Sequence, residues 1–169
     1  MAATFNWWGE YGDSGSPTTG DLGVSGNLFN FKTEDSLASA ADYTSYPITA
    51  GNNSYEVWLK GHFTGSFNKI QNAKFWKSDG SFGTGEAIKW DGVTTAYVTP
   101  VTSESTICTA DVPTASPGSA NVSFNDGDLG GSITAAGFSD FIIMQMQTTT
   151  AAEAGDTETF TFTLTYDEN

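Results

Sequence analysis

The side chains that most often carry catalysis are scarce in this chain. His62 is its single histidine and Cys108 its single cysteine. A Ser-His-Asp triad would have to use His62 and a serine on a G-x-S-x-G turn, a pattern that the sequence does not contain. One histidine and one cysteine also give no set of metal ligands and no internal disulfide. We interpret His62 as a half-buried strand residue and Cys108 as an inert thiol, with a Cys-His pair as the open alternative.

Paired carboxylates are the remaining route to an enzyme, because glycosidases on β-sandwich folds need only two acids at a fixed separation. Glu56, on a predicted strand, and Glu86, near Trp90 in the sequence, are the candidates. The chain has 20 acidic residues, so some of them come close by chance. We therefore assign no catalytic residue and expect a protein that is not an enzyme.

An acidic turn suggests a different chemistry, calcium binding. Asn125-Asp126-Gly127-Asp128 resembles the first half of a calcium loop, in which oxygen ligands at alternate positions converge on the ion. The last ligand position of such a loop requires a glutamate, and counting from Asp126 it is occupied by Gly137. We interpret the segment as an Asx-rich turn and assign no metal ligand, while an irregular calcium site near Asp126 and Asp128 stays an open alternative.

Aromatic side chains supply contact chemistry, and the chain is rich in them, since 14% of its residues are Phe, Trp or Tyr, including five Trp. Trp7 and Trp8 are adjacent, so in an extended chain they point to opposite sides and at least one needs a partner outside the local surface. That partner is a sugar, another loop or another subunit. Trp58 and Trp76 fall on predicted strands, where packing in the core is the default interpretation.

The elements that must position these residues are strands. From Phe160 to Tyr166 every second residue is apolar and the residues between them are threonines. This period of two predicts a strand with one buried face and one wet face. The threonine row also raises ice binding, but a single twisted strand does not make the flat repeated array that such a function needs.

The remaining strands complete an all-β pattern. They are predicted at Tyr55–Phe63, Ile70–Trp76 and Phe138–Thr149, with shorter ones at Leu28–Phe31, Ala87–Trp90, Ala96–Val101 and Asn121–Phe124. Phe141–Met146 is apolar on both faces, which predicts a central strand or one whose outer face meets a partner. Helix is limited to one or two turns at Glu34–Ala41. The fold class is thus all-β, an antiparallel β-sandwich of about eight strands in a jelly-roll or Ig-like order.

Residues 1–27 differ from the rest in composition. Phe5, Trp7, Trp8 and Tyr11 precede a stretch rich in Gly, Ser, Thr and Pro. One interpretation is an extended N-terminal arm, residues 1–27, with these aromatic residues at its tip, and residues 28–169 as the β-sandwich domain. The other is a first strand, Thr4–Trp8, followed by a long loop. The two are balanced, and we take the arm as the working hypothesis.

The charge of the chain excludes several classes of partner. Six residues are basic, all of them Lys, and 20 are acidic, which gives a formal net charge of −14. Nucleic-acid binding and attraction to anionic membranes both need a cationic surface that such a chain lacks. No stretch reaches the ~18 apolar residues of a membrane span, and the N-terminus lacks the regions of a signal peptide. The acids fall mostly in turns and near the termini, which leaves the predicted strand faces to uncharged residues.

Several segments resemble a pattern common in structural proteins of tailed bacteriophages. They lie in patches between Leu28 and Asn169, at Ser54–Lys60, Phe63–Trp76, Gly137–Met146 and Phe162–Glu168. The resemblance implies a β-sandwich protein of the virion, made in the host cytoplasm, and specifically a capsid decoration (cement) protein on the outer capsid surface. Such a protein binds the major capsid protein and its own copies, as a homotrimer, and needs no cofactor.

On this hypothesis Phe5, Trp7, Trp8 and Tyr11 are the contact with the capsid or with another subunit. The alternatives are a head-fibre or tail receptor-binding module and a carbohydrate-binding domain. A flat or grooved patch of exposed Trp beside Asn or Asp would favour the carbohydrate-binding domain.

Overall fold

Two antiparallel β-sheets make up nearly all of the regular structure. The computed structural model describes residues 2–24, 29–37, 42–153 and 159–169. Its elements are β1 (Ala3–Tyr11), β2 (Thr18–Asp21), α1 (Asp42–Ser45), β3 (Val57–Gly65), β4 (Ile70–Asp79), β5 (Glu86–Thr94), β6 (Ala110–Asp111), β7 (Ser132–Ile133), β8 (Gly137–Phe138), β9 (Phe141–Thr148) and β10 (Thr161–Glu168). Among the described residues no helix has the length and apolar character needed to cross a membrane. The predicted all-β antiparallel sandwich is confirmed as the fold class.

The two sheets differ in size. The large sheet has the order β2-β1-β3-β9-β5-β6, with β8 added beside β3, and the small sheet has the order β10-β4-β7. The chain changes sheet repeatedly in its middle part, since β3 belongs to the large sheet, β4 to the small one and β5 to the large one again. Such crossings place consecutive strands over each other, and the two sheets therefore pack face to face.

The core lies between the sheets and takes alternate residues from each strand. Leu59 and Phe63 of β3 and Phe75 of β4 are at most 2% exposed. The apolar residues of β10 pack against this core, namely Phe162, Leu164 and Tyr166, and so does Phe160 just before the strand. Thr161 and Thr165 between them are exposed. The predicted period of two is therefore confirmed.

β9 is a central strand of the large sheet, lying between β3 and β5. Its residues Phe141–Met146 are all buried. One face of the strand belongs to the core between the sheets, and the other packs with Trp58 and Cys108 in a second apolar cluster. The prediction of a central strand is confirmed, since the chain itself covers both faces.

Residues 95–109, the outer loop, run over that second cluster and contribute apolar side chains to it. The side chain of Gln145 in β9 is fully buried beneath the outer loop and forms hydrogen bonds to it. Its Nε2 donates to the carbonyls of Val101 and Ser103 at 3.2 and 2.8 Å, and its Oε1 accepts from the Ser105 N–H at 3.0 Å. One buried amide thus sets the position of the loop on the sheet.

The predicted N-terminal arm is wrong, because its aromatic residues lie in β1 of the large sheet. β1 pairs with β3 over eight positions, from Ala3 opposite Gly65 to Glu10 opposite Trp58. The alternative of a first strand is the one that the chain adopts. The Gly-rich stretch after β1 makes a turn and then the return strand β2. A division into residues 1–27 and 28–169 therefore does not describe the fold, since the first segment shares a sheet and a core with the second.

Three of the shorter predicted strands are not strands. Residues 96–101 and 121–124 are irregular, and so are residues 29–31, while residue 28 lies outside the described residues. The side chain of Asn121 makes the hydrogen bonds to Phe75 that a neighbouring strand would otherwise make. Its Oδ1 accepts from the Phe75 N–H and its Nδ2 donates to the Phe75 carbonyl, both at 2.8 Å.

The predicted helix Glu34–Ala41 does not form at residues 34–37, and residues 38–41 lie outside the described residues. Side-chain contacts hold the first part in an irregular conformation. Lys32 Nζ donates to Glu34 Oε2 at 3.2 Å and to Ser36 Oγ at 2.7 Å. The short helix α1 begins only after this segment.

Candidate functional site

Glu56 and Glu86, the nominated catalytic pair, lie on opposite faces of the large sheet. By strand register Glu56 shares the outward side of Trp58, and Glu86 shares the inward side of Trp90. Glu56 is 4% exposed and accepts from Trp58 Nε1 at 3.3 Å, and Glu86 accepts from the Gly83 N–H at 2.9 Å. This pair therefore does not face a common substrate bond as two glycosidase carboxylates must.

His62 and Cys108 pack in different places. His62 is half-buried on β3 and stacks against Phe138. Cys108 is 1% exposed within the second apolar cluster. Burial raises the pKa of the Cys108 thiol to about 12, so the reactive thiolate is scarce near neutral pH. The half-buried His62 is as predicted, and the geometry gives the alternative Cys-His pair no support.

The acidic turn at 125–128 directs its polar groups to its own backbone. Asp128 Oδ1 accepts from the Gly130 N–H at 2.8 Å, which is an Asx turn. Asp140 Oδ2 accepts from the Gly127 N–H at 2.9 Å. Within the described ranges no three His, Cys, Asp or Glu side chains converge as metal ligands. The interpretation as an Asx-rich turn is confirmed.

The four predicted contact residues do not form one surface. Phe5 and Trp7 pack against the core between the sheets, because alternation along β1 places both on its inner side. They are committed to the chain's own core, and the prediction of an exposed aromatic tip is corrected. Trp8 lies on the outer side of the same strand, and Tyr11 is half-buried at its end.

Trp8, His62 and Phe138 form an aromatic cluster, the Trp8 cluster, on the outer face of the large sheet. The rings of His62 and Phe138 are stacked, with centroids 4.3 Å apart and planes 15° apart. The Trp8 ring meets both nearly at right angles, with centroid distances of 5.3 Å to His62 and 5.8 Å to Phe138. Phe138 is 39% exposed, so the cluster presents ring surface to solvent.

Phe138 is the member of this cluster that the sequence did not single out. The sequence shows only that it opens the apolar run Phe138–Thr149. Pairing of β8 with β3 places it directly opposite His62. That contact joins residues far apart in the chain, and no local pattern announces it.

Polar side chains border the Trp8 cluster. Lys60 forms an ion pair with Glu10, and its Nζ lies 4.3 Å from the ring centroid of Phe141. Asn6 Nδ2 donates to Asp21 Oδ2 at 3.4 Å. Hydrogen-bond donors and acceptors, and side chains of both charge signs, are therefore present beside the rings.

The outer face of the small sheet is a second accessible surface, the Trp76 face, formed by Trp76, Ser78, Thr161, Thr163 and Thr165. Trp76 is half-buried opposite Thr163. It was expected in the core, and this is wrong because its neighbours Phe75 and Lys77 take the inward positions. Thr163 Oγ1 donates to Ser78 Oγ at 2.8 Å. Over the pairs from Thr163 to Thr165 the outward side carries one charge, Lys74, and no acid.

The Trp8 cluster and the Trp76 face lie on the outer faces of different sheets, and so on opposite sides of the sandwich. Comparison adds no relative to this description. A scan against protein-family models, a search of curated proteins and a search of solved structures each find no match.

Proposed function

We propose that the protein is a non-enzymatic structural protein of a virion, a capsid decoration protein that binds the outside of a phage head and stabilises the shell. The Trp76 face is the proposed contact, and the major capsid protein is the proposed partner. The resemblance to phage structural proteins supports the proposal, and so does one observation above all. In a chain of net charge −14, a threonine-rich face is centred on a tryptophan, and its pairs from Thr163 to Thr165 carry one lysine and no acid. The resemblance also implies that the protein binds further copies of itself and forms a homotrimer.

A face whose central strand pairs carry no carboxylate suits attachment because it avoids two costs. An unpaired carboxylate buried in an interface costs several kcal/mol in lost hydration, roughly as for other buried charges, and surfaces of like charge repel. When a partner covers the face, threonine hydroxyls replace hydrogen bonds to water with hydrogen bonds to the partner, and the net cost in free energy is small. Trp is also among the residues that most often dominate interface energy.

The acidic residues remain hydrated when the Trp76 face is covered. Asp126, Asp128 and Glu153 are exposed in loops between strands. Such a coat keeps the free protein soluble before assembly. A protein that binds only the assembled shell stabilises it by mass action, by about 2.7 kcal/mol per site at a concentration 100 times its Kd.

The proposal is tested by adding the purified protein to phage heads that lack it and measuring co-sedimentation. Loss of a tryptophan at the centre of an interface costs about 2 kcal/mol or more, so Trp76→Ala should bind roughly 30-fold more weakly. Thr163→Glu places a carboxylate on the same face and should abolish binding. Val98→Ala is the control, because Val98 is 42% exposed on the outer loop, away from this face. Absence of wild-type binding, or equal binding by all four proteins, would refute the proposal.

A head-fibre or tail receptor-binding module is the second candidate function. The Trp8 cluster favours it, because exposed ring surface held on paired strands is suited to capturing a receptor. Gold-labelled antibody against the chain separates the candidates in electron micrographs of whole particles. Label over heads supports decoration, and label confined to tails supports the receptor-binding module.

A further inference from the structure

The Trp8 cluster leaves ring surface open on the side of the sandwich opposite the Trp76 face. Trp8 and His62 are half-buried, and Phe138 is 39% exposed. Each ring is braced by the other two and stands on a paired strand. A ligand that settles on these rings therefore immobilises few free side chains, which lowers the entropic cost of binding.

Hydrogen-bonding groups of both kinds stand beside the rings. Asp21 lies opposite Trp8 in the register of β2 and β1, and Asn6 donates to Asp21. Lys60, opposite Trp8 on β3, is paired with Glu10. Trp8 Nε1 is buried and has no acceptor within the part of the chain that the structure describes. A ligand at this site thus meets apolar rings and a border that both donates and accepts.

The open ring area is small for a protein partner. An aromatic side chain buries roughly 150–250 Å², so the 39% of Phe138 that is exposed amounts to roughly 60–100 Å². Three rings with such exposure offer under roughly 300 Å², whereas an ordinary protein interface takes about 800 Å² from each partner. The cluster matches a ligand of one or two rings.

Charge narrows the class of ligand further. Lys60 Nζ already lies 5.3 Å from the ring centroid of Phe138, so a second cation over that ring would be repelled. The net charge of −14 disfavours an anion. A neutral ligand with an apolar face and polar edges satisfies both conditions.

We propose that the Trp8 cluster is a binding site for a neutral saccharide. One face of a pyranose ring carries C–H groups that pack against an aromatic ring, and its hydroxyls both donate and accept hydrogen bonds. Phe138 provides the stacking surface, and Asn6 and Asp21 are the hydroxyl partners on the Trp8 side of the cluster. The site belongs to the isolated chain and does not rest on the proposed attachment to a capsid.

The test is saturation-transfer NMR of the full-length chain with four neutral trisaccharides, namely maltotriose, cellotriose, mannotriose and N-acetylchitotriose, and with sialyllactose as the anionic counterpart. At least one neutral sugar should bind saturably, with transfer strongest to the C–H groups of one ring face. Phe138→Ala should weaken that binding about tenfold. Phe138→Tyr keeps the ring and should bind, and so should Val98→Ala, which alters an exposed valine of the outer loop.

Circular dichroism of each variant confirms that the comparison is made between folded proteins. The inference is overturned if none of the neutral sugars binds at millimolar concentration, if Phe138→Ala binds as tightly as the wild type, or if sialyllactose is preferred. Because the assay contains no phage head, its failure leaves the attachment hypothesis standing, and failure of co-sedimentation leaves the sugar site standing.

Discussion

Replacing Gln145 with leucine should release the outer loop from the large sheet without unfolding the sandwich. Three hydrogen bonds join this side chain to the loop, at the carbonyls of Val101 and Ser103 and the N–H of Ser105. Leucine has a similar size and makes none of them. At about 1 kcal/mol for each bond, the closed loop loses about 3 kcal/mol relative to the open one. Opening therefore becomes about 150-fold more frequent.

Cys108 reports this opening through its reaction with a disulfide reagent near pH 8. The thiol is 1% exposed and its pKa is raised to about 12 by burial, so it reacts only when the loop opens and restores an ordinary pKa of ~8.5. The labelling rate in native buffer should rise by the same factor of about 150 in Gln145→Leu.

Gln147→Leu is the matched control for this experiment. Gln147 lies on the same strand face, but its Nε2 donates to Gln145 Oε1 and not to the loop. Its replacement should change the labelling rate by less than about threefold, since one bond of about 0.5 kcal/mol corresponds to a factor of only about two. Equal labelling of Gln145→Leu and wild type, or an equal increase in Gln147→Leu, would show that the amide does not hold the loop.

Three further predictions concern stability, measured by urea denaturation. Trp7→Ala should cost about 3–5 kcal/mol because the ring packs in the core, while Trp8→Ala on the outer face should cost about 1 kcal/mol; equal losses would contradict the assignment of the two faces. Asn121→Ala should cost about 2 kcal/mol because both bonds to the Phe75 backbone disappear, and a loss below about 0.5 kcal/mol would mean that water replaces them. Burial raises the pKa of the Asp35 carboxyl. The folded state therefore binds a proton at Asp35 more readily than the unfolded state does. As a result, the contribution of Asp35 to the free energy of unfolding falls as the pH rises from the ordinary pKa of this group through the raised one. Asp35→Asn should therefore be more favourable relative to wild type near pH 7 than near pH 3, and an equal effect at both would argue against a raised pKa.

The strands whose faces are marked by residue type were predictable from the sequence. Phe162 and Leu164 alternate with threonines, so burial of one side and hydration of the other follow from the period alone. Phe141–Met146 carries apolar residues on both faces, with Gln145 as its one polar residue, because both faces of β9 are covered. In these segments the local pattern and the tertiary environment agree, and the pattern was sufficient.

The N-terminal strand shows where local pattern fails. Trp7 and Trp8 are adjacent and both apolar, so the sequence does not show which side of the strand faces solvent. The glycines that follow are typical of a flexible linker. The stabilising contacts come from residues 58–65 of β3, which are distant in the chain. Packing of Phe5 against Phe63, with ring centroids 5.3 Å apart, holds the strand in the sheet, and no window of the sequence contains both residues.

The candidate surfaces depended even more on long-range pairing. His62 was recognisable as a half-buried strand residue, but its stacking on Phe138 requires β8 to pair with β3. The residue type of Trp76 predicted a position in the core. Trp76 follows the inward-facing Phe75 on β4, and because side chains alternate along a strand it points outward. Residue type predicted which side chains make contacts, and strand register decided where those contacts are.

The proposed attachment to a phage head through the Trp76 face is tested most directly by cryo-electron microscopy of phage particles incubated with the purified chain. We expect density for the sandwich on the outer surface of the head, with β4 and β10 against the shell and the Trp8 cluster facing solvent. Density at the tail alone, no density on the particle, or a sandwich bound through the outer face of its large sheet would contradict it.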